Sequence, residues 1–413
     1  MSPAGQAARL AWRSVRRHRA RTAIAVLSIG LGLALVVFLV SLRHGQYTQL
    51  VDRAVRLQGG HLTLEHPSYR EDPSPGLAIG RAGERRRAIA ALPQVERTRP
   101  VVLGQALVRS AAGACSAALV GVDPGAERGS SPLPDRIVAG GYLEEGDAGG
   151  IVVGVRLAEQ LGVGPGKKVV LSVGGIDGQI VEELARVTGV FSAGSPEIDG
   201  FLVVAPLGLA RRLTGLAADE VTQLAVILRD PRQAGPAAAR IREIAGGADA
   251  AVRQWQEIMP EVASFVQAAM RWALFYQGLL LLLILLSVLT TLLVSVLERR
   301  REFAVLLAIG TPPGLLRLQV FAETALVGMI GCGLGLALGG GAAFAAQVHG
   351  IDLRGLLTEG MSLSGYAFDL VVRPRPTAAI LLGLGGVEFA ATLVLGLYPM
   401  RLAARVEPTR LLR

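Results

Sequence analysis

Four long apolar runs and one broad polar region set the frame of the chain. The most pronounced run is Trp272 to Leu297, 26 residues without a charge, which carries five consecutive leucines from Leu279 to Leu283. As a helix it rises about 39 Å, more than the roughly 30 Å of hydrocarbon in a bilayer, so the pattern predicts a tilted span. It stops at Glu298-Arg299-Arg300-Arg301-Glu302. Beyond this cluster, Phe303 to Ile309 continues as a short helical pattern, and Gly310-Thr311-Pro312-Pro313 ends it. Thr22 to Leu42, 21 residues without charge, is long enough for a first span; Thr324 to Val348 and Thr377 to Met400 give a third and a fourth.

Between the first two spans, His44 to Met270 is hydrophilic over 227 residues, room for one larger or two small folded domains. Strands are expected at Gly60 to Glu65, Val101 to Val108, Ala117 to Val122, Val221 to Leu228 and Ala251 to Trp255, with helices at Arg81 to Leu92 and Arg232 to Ala245. The section from about Pro124 to Leu216 is rich in glycine and β-branched residues and reads as a β-rich part set into an α/β part. Ile258 to Met270 leads out as a helical stalk running into the second span. The fold class expected is an α-helical membrane protein with four transmembrane helices and a large α+β extracytoplasmic domain, an α/β porter-like part with an inserted β-rich subdomain.

Composition agrees with the membrane class. Apolar residues make up 51% of the chain and charged residues 18%, and the mean hydropathy is +0.46, too apolar for an ordinary soluble protein. The net charge of +9 could suggest nucleic acid, but the basic residues flank the apolar runs, where topology accounts for them, and no basic patch interleaved with aromatics occurs. No nucleic-acid partner is expected. Arg9, Arg13, Arg16, Arg17, Arg19 and Arg21 make Ala7 to Arg21 a basic amphipathic helix at the inner membrane surface, with Trp12 near the headgroups. Its basic flank could resemble a signal peptide, but the apolar core is longer than such a peptide uses and Ser41-Leu42-Arg43 offers no cleavage pattern. Arg401, Arg405, Arg410 and Arg413 close the chain on the same side.

The expected order is therefore a cytoplasmic helix at 1–21, spans at 22–42, 271–297, 318–348 and 377–400, an outer domain at 43–270 with its β-rich insert at about 124–216, a cytoplasmic coupling segment at 298–317, an outer loop at 349–376 and a cytoplasmic tail at 401–413. Both termini then lie inside. Cys115 and Cys332 fall in the polar region and in an apolar run, which argues against a disulfide.

Little in the chain reads as reaction chemistry. Gly162 to Lys168 is the nearest approach to a phosphate-binding loop, but its glycine spacing is wrong and the Ser/Thr is lacking. His61, Glu65 and His66 are ligand-type residues, yet in a strand His61 and Glu65 share a face while His66 points away, so no three-ligand metal site is expected. No catalytic residues and no bound cofactor are expected. Gly331, Gly335 and Gly339 recur every fourth residue of the third span, which places them on one face and allows close helix packing. Glu388 lies near the centre of the fourth span, where a carboxylate costs on the order of 3 kcal/mol; it should face a protein interior or be protonated, in either a structural role or a polar contact at a seam.

Several of these stretches together resemble one family. Val296 to Gly310, Phe321-Ala322-Glu323 before the glycine-rich span, the ending Leu397 to Arg413, and Leu10-Ala11-Trp12-Arg13 with Arg21-Thr22 are similar to the corresponding segments of FtsX-domain ABC permeases. This is the superfamily of the macrolide exporter MacB and the lipoprotein-releasing LolC/LolE-like permeases. Ile151 to Gly154, Leu161 to Gly166, and Gly189-Val190-Phe191 before Asp199 resemble the family's inserted β subdomain. The resemblance implies a non-catalytic permease of the bacterial inner membrane that pairs with a second permease, identical or homologous, and binds two copies of a cytoplasmic ATPase holding the ATP and Mg. Glu298, Arg299, Arg300, Arg301, Glu302, Phe303, Leu306 and Gly310 would then form the coupling helix that docks on the ATPase, with Phe303 and Leu306 as apolar anchors. ATPase movement would pass through the spans to the outer domain, which acts on lipoproteins or other amphiphilic cargo, with membrane lipid and a periplasmic adaptor as further partners. The alternative is an FtsX-like signalling permease that controls a cell-wall hydrolase and transports nothing.

Overall fold

The chain divides into two units, one built from Met1–Thr48, Val266–Leu353 and Leu370–Arg413, the other from Gln49–Phe265 and Arg354–Asp369. The computed structural model describes residues 3–17, 19–245, 247–352, 362–363, 366–367 and 371–403. The arginines expected to close the chain at 405, 410 and 413 and half of the expected outer loop lie outside the described residues.

The first unit is helical. An N-terminal helix, Pro3–Arg17, precedes four helices long and apolar enough to cross a membrane: a first span helix beginning at Arg19, a second ending at Glu298, a third at Pro313–His349 and a fourth at Ala378–Ala403. The first and second exceed the expected apolar runs because the helical backbone continues beyond them, from Arg19 to Leu57 and from Pro260 to Glu298. A charge such as Arg43 ends an apolar run without ending a helix, since arginine is a good helix former. Glycines set the helix contacts, because only a missing side chain lets two backbones approach this closely. A Cβ at Gly335 would lie 2.8 Å from Leu33 Cβ and 2.9 Å from the Gly30 carbonyl, and one at Gly331 would lie 2.8 Å from Ile29 Cβ. Gly328 and Gly396 give the fourth span helix the same access to the third, against Thr392 and Thr324.

The second unit has one ten-stranded sheet. Its strands are β1 (Leu62–Glu65), β2 (Val95–Arg109), β3 (Ala114–Val122), β4 (Ile137–Gly140), β5 (Gly150–Gly154), β6 (Lys168–Gly174), β7 (Ile180–Phe191), β8 (Leu202–Pro206), β9 (Gln223–Leu228) and β10 (Ala251–Gln254). At one end the order is β10-β1-β9-β2, all antiparallel, with helices Ala82–Ala90 and Ala234–Ala245 in the β1–β2 and β9–β10 connections. This is the split βαβ arrangement.

Between its second and third strands the chain builds a closed ring: β2 pairs with β3, β3 with β8, β8 with β5, β5 with β7, β7 with β6, and β6 returns to β2. The ring takes in β3 and the second half of β2, both upstream of residue 124, as well as strands from 150 to 206. β2 serves both parts because it is 15 residues long, pairing β9 through Val95–Val101 and β6 through Ala106–Arg109. Alternate residues of these strands, among them Val102, Val108, Leu119, Leu171, Val187 and Val203, meet the helices in one core. All four residues of β1 are buried, since the strand lies between β9 and β10.

Candidate functional site

The charge cluster after the second span organises the end of the helical unit. The second span helix stops at Glu298 and a short helix, Arg300–Ala308, follows, with the bend at Arg299. Arg299 is buried, and its guanidinium reaches two carboxylates: Nε donates to Glu302 Oε2 at 3.1 Å and a terminal nitrogen donates to Glu323 Oε2 at 2.9 Å. The other Glu323 oxygen accepts from the Ser14 hydroxyl at 3.1 Å, so one carboxylate of the third span helix ties the N-terminal helix to the bend. The Phe303 ring lies under the Arg299 guanidinium, 5.1 Å from it. The four span helices meet here around a small cavity of about 30 Å³ lined by Thr22, Ser295, Arg299, Glu323, Thr324 and Pro399 among others.

This packing divides the expected coupling residues into two sets. Phe303 is fully buried with Val296, Leu316, Val320 and Ala403, and Leu306 packs at the edge of the same cluster. Phe303 therefore holds the short helix against its own bundle and is not free to anchor a partner. Glu298, Arg300, Arg301, Glu302, Val305, Ala308, Ile309 and Gly310 are exposed. The short helix ends where Gly310 adopts φ +91°, a conformation that costs an L side chain energy, and Pro313 opens the next helix.

The three glycines of the third span, Gly331, Gly335 and Gly339, are buried against Ile29, Leu33 and Ala34 of the first span helix. Gly333 and Gly341 of the same helix face open space, so the stripe is a contact face and not a general richness in glycine. Glu388 is fully buried, as is Thr392 one turn on. Neither carboxyl oxygen of Glu388 nor the Thr392 hydroxyl meets a hydrogen-bond partner among the described residues. The second span helix keeps Trp272, Leu274, Phe275, Tyr276 and Leu279 exposed.

In the second unit the ligand-type residues have structural partners. His61 Nδ1 accepts the Leu228 N–H at 3.2 Å, and burial pushes the imidazole pKa below its ordinary value. Glu65 is gripped by Arg70 at 2.9 Å and by the Gln223 amide at 2.7 Å; His66 accepts from Ser68 N. Two features had only weak signals in the sequence. Ser14 and Glu323 are 309 residues apart and become partners only in the bundle. Arg99 and Glu127 form a buried ion pair at 3.1 Å, and Arg99 also donates to the carbonyls of Arg56, Leu57 and Gln58, satisfying the C-terminal end of a helix.

Four apolar helices, a polar α/β unit set between the first two of them, and a short helix after the second define the class of ABC transporter permeases. Residues 22–244 match the MacB-like periplasmic core domain and residues 274–408 the FtsX-like permease C-terminal region; the chain belongs to this family. It aligns with the lipoprotein-releasing system transmembrane protein LolC of Neisseria meningitidis at 26% identity over 98% of both chains. It aligns at 24% identity with the pyoverdine export ATP-binding/permease protein PvdT of Pseudomonas aeruginosa, over 98% of this chain but only 58% of that protein. The crystal structure of the periplasmic region of MacB from Actinobacillus actinomycetemcomitans matches 49% of this chain and 92% of that one at 13% identity with a TM-score of 0.36. Permeases of this family work with an ATPase partner and are generally non-catalytic themselves.

Proposed function

We propose that this chain is the transmembrane permease subunit of a MacB/Lol-type ABC transporter of the bacterial inner membrane, and that it passes ATPase-driven movement to its outer domain to extract or export lipoproteins or other amphiphilic cargo. The observation that carries the reading is the bend at Arg299. An unbroken helix, Pro260–Glu298, ends at an arginine clamped to Glu323, and the short helix beyond it is held by Phe303 while exposing Arg300, Arg301, Glu302, Val305 and Ile309. A push on the exposed side is transmitted because the buried side is fixed. The partner on that side is a cytoplasmic ABC ATPase, in two copies, which holds the ATP and Mg. A second permease, identical or homologous, and membrane lipid cover the apolar face of the second span helix, and cargo or a periplasmic adaptor meets the outer domain.

The test is reconstitution of the full chain with its ATPase in proteoliposomes, scoring ATPase association and ATP-dependent release of a lipoprotein. Ile309→Asp and Val305→Asp place a charge on the exposed side without touching Phe303 and are expected to abolish both. Association and release at wild-type level in both variants would overturn the coupling role of this surface. ATP-dependent activation of a cell-wall hydrolase without any release would replace transport by signalling.

A further inference from the structure

Over Val101–Leu103 of β2, Ala117–Val122 of β3 and Leu202–Ala205 of β8 the residues of both faces are apolar. One face supplies Val102, Leu119, Val203 and Ala205 to the core. The opposite face should then be polar or covered, because successive residues of a strand point to opposite sides. Register sets Leu103 beside Val120 and Val120 beside Val204, and these residues, with Leu202, line a cavity of about 720 Å³. That lies within the range of roughly 300–1,000 Å³ typical of small-molecule sites. The exposed Pro73 and the half-exposed Phe201 stand at its rim.

The lining also says what the cavity can take. The charged residues of its lining are Arg70, Arg99, Glu127 and Glu197, and each is engaged within the protein: Arg99 with Glu127 at 3.1 Å, Arg70 with Glu65 behind the wall at 2.9 Å, and Glu197 as acceptor from the Ser195 hydroxyl at 2.6 Å. With two arginines against two glutamates, the lining itself has no net charge to recruit a charged head group. The wall offers little backbone edge either: β3 is bonded on both sides to β2 and β8, and β2 to β3 on one side and to β9 or β6 on the other except at Val102–Gln105, where the Thr222 hydroxyl donates to the Val101 carbonyl and accepts from Leu103 N. An extended peptide, which binds by adding a strand to a free edge, therefore has little to pair with. What remains is an aliphatic occupant that needs area and no directional partners.

We infer that this cavity binds one acyl chain of an amphiphile, with the head group left outside the rim. The inference rests on the proposed handling of amphiphilic cargo and names the site in the outer domain where the apolar part of that cargo is held.

The probe is palmitic acid carrying a terminal diazirine, added to the purified full-length chain in lipid nanodiscs without ATPase or nucleotide. After irradiation, mass spectrometry locates the labelled peptides. Label is expected on the strands bearing Leu103, Val120 and Val204, competed by unmodified palmitate. Val120→Trp and Leu103→Trp fill the cavity from two neighbouring strands. Each is expected to lower that label at least tenfold, while label on the lipid-facing segment Leu274–Leu286 stays within twofold. Circular dichroism and melting identify a variant that fails to fold, and the other then decides. Label confined to the span segments, or strand label that persists in a folded tryptophan variant, overturns the inference. Because no ATPase is present, this outcome is separate from that of the coupling test.

Discussion

The glycine stripe of the third span gives a prediction that can be worked from distances. Replacing Gly339 by alanine places a methyl group 2.6 Å from the Ala34 carbonyl oxygen, 2.8 Å from Ala34 Cα and 3.0 Å from Val37 Cβ. Comfortable carbon contacts begin at about 3.5 Å, so the helices must separate by something near 1 Å, and the nearest atoms are backbone that no rotamer change can move aside. Overpacking of this kind costs about 1–3 kcal/mol. Alanine also has a better helix propensity than glycine by about 0.8–1 kcal/mol, which works in the other direction. Gly341, two residues on in the same helix, has nothing within 4 Å of its added Cβ, so Gly341→Ala carries the propensity gain without the clash. Comparing the two variants cancels the propensity term. The full chain in mixed micelles, titrated with SDS and followed by circular dichroism, is expected to unfold earlier for Gly339→Ala than for Gly341→Ala by about 1–3 kcal/mol. If Gly339→Ala unfolds at the same SDS fraction as Gly341→Ala, or later, the close approach of the first and third span helices is refuted.

Two further expectations concern the outer unit. Arg99→Leu leaves Glu127 charged, buried and unpaired and strips the helix-end carbonyls of Arg56, Leu57 and Gln58 of their donor. The expected loss is about 3–5 kcal/mol, and Arg99→Leu with Glu127→Leu should recover part of it; urea denaturation with no added recovery in the double variant would show that the helix-end bonds, not the charge, carry the effect. His61 is held neutral by burial, with Asp52, Arg56 and Glu96 as its charged neighbours, and its Nδ1 must stay unprotonated to accept from Leu228. Its folded pKa lies below the unfolded one, so the unfolded state takes up the proton first and stability falls as the pH drops through about 6.5. Exchange of the Leu228 amide, which opens with the outer unit, should quicken relative to its intrinsic rate between pH 7.5 and 5.5, and His61→Asn should remove that dependence; an unchanged protection factor in the native chain refutes it.

The four long apolar helices, the basic stop at Arg299 to Arg301 and the glycine face of the third of them were legible in the chain because bilayer thickness and helical period impose one-dimensional rules on length and spacing. The α/β character of the polar region was legible in the same way. What the linear pattern could not supply was which face of the short helix points inward. Phe303 and Ile309 are both apolar, yet Phe303 is fully buried and Ile309 exposed, and only packing against Leu316 and Val320 decides between them. The same holds for partners far apart in the chain. Ser14 and Glu323 meet because the N-terminal helix packs on the third span helix, and Arg99 finds Glu127 and a helix end because three segments converge. The cavity is the extreme case: only the assembled ring shows that one face of these strands joins the main core, while the other is shared between a second cluster, with Val122, Val204, Leu143 and Phe191, and the cavity. Local periodicity determines which elements exist; the choice among equally apolar faces, and the pairing of distant charges, is made by close packing in three dimensions.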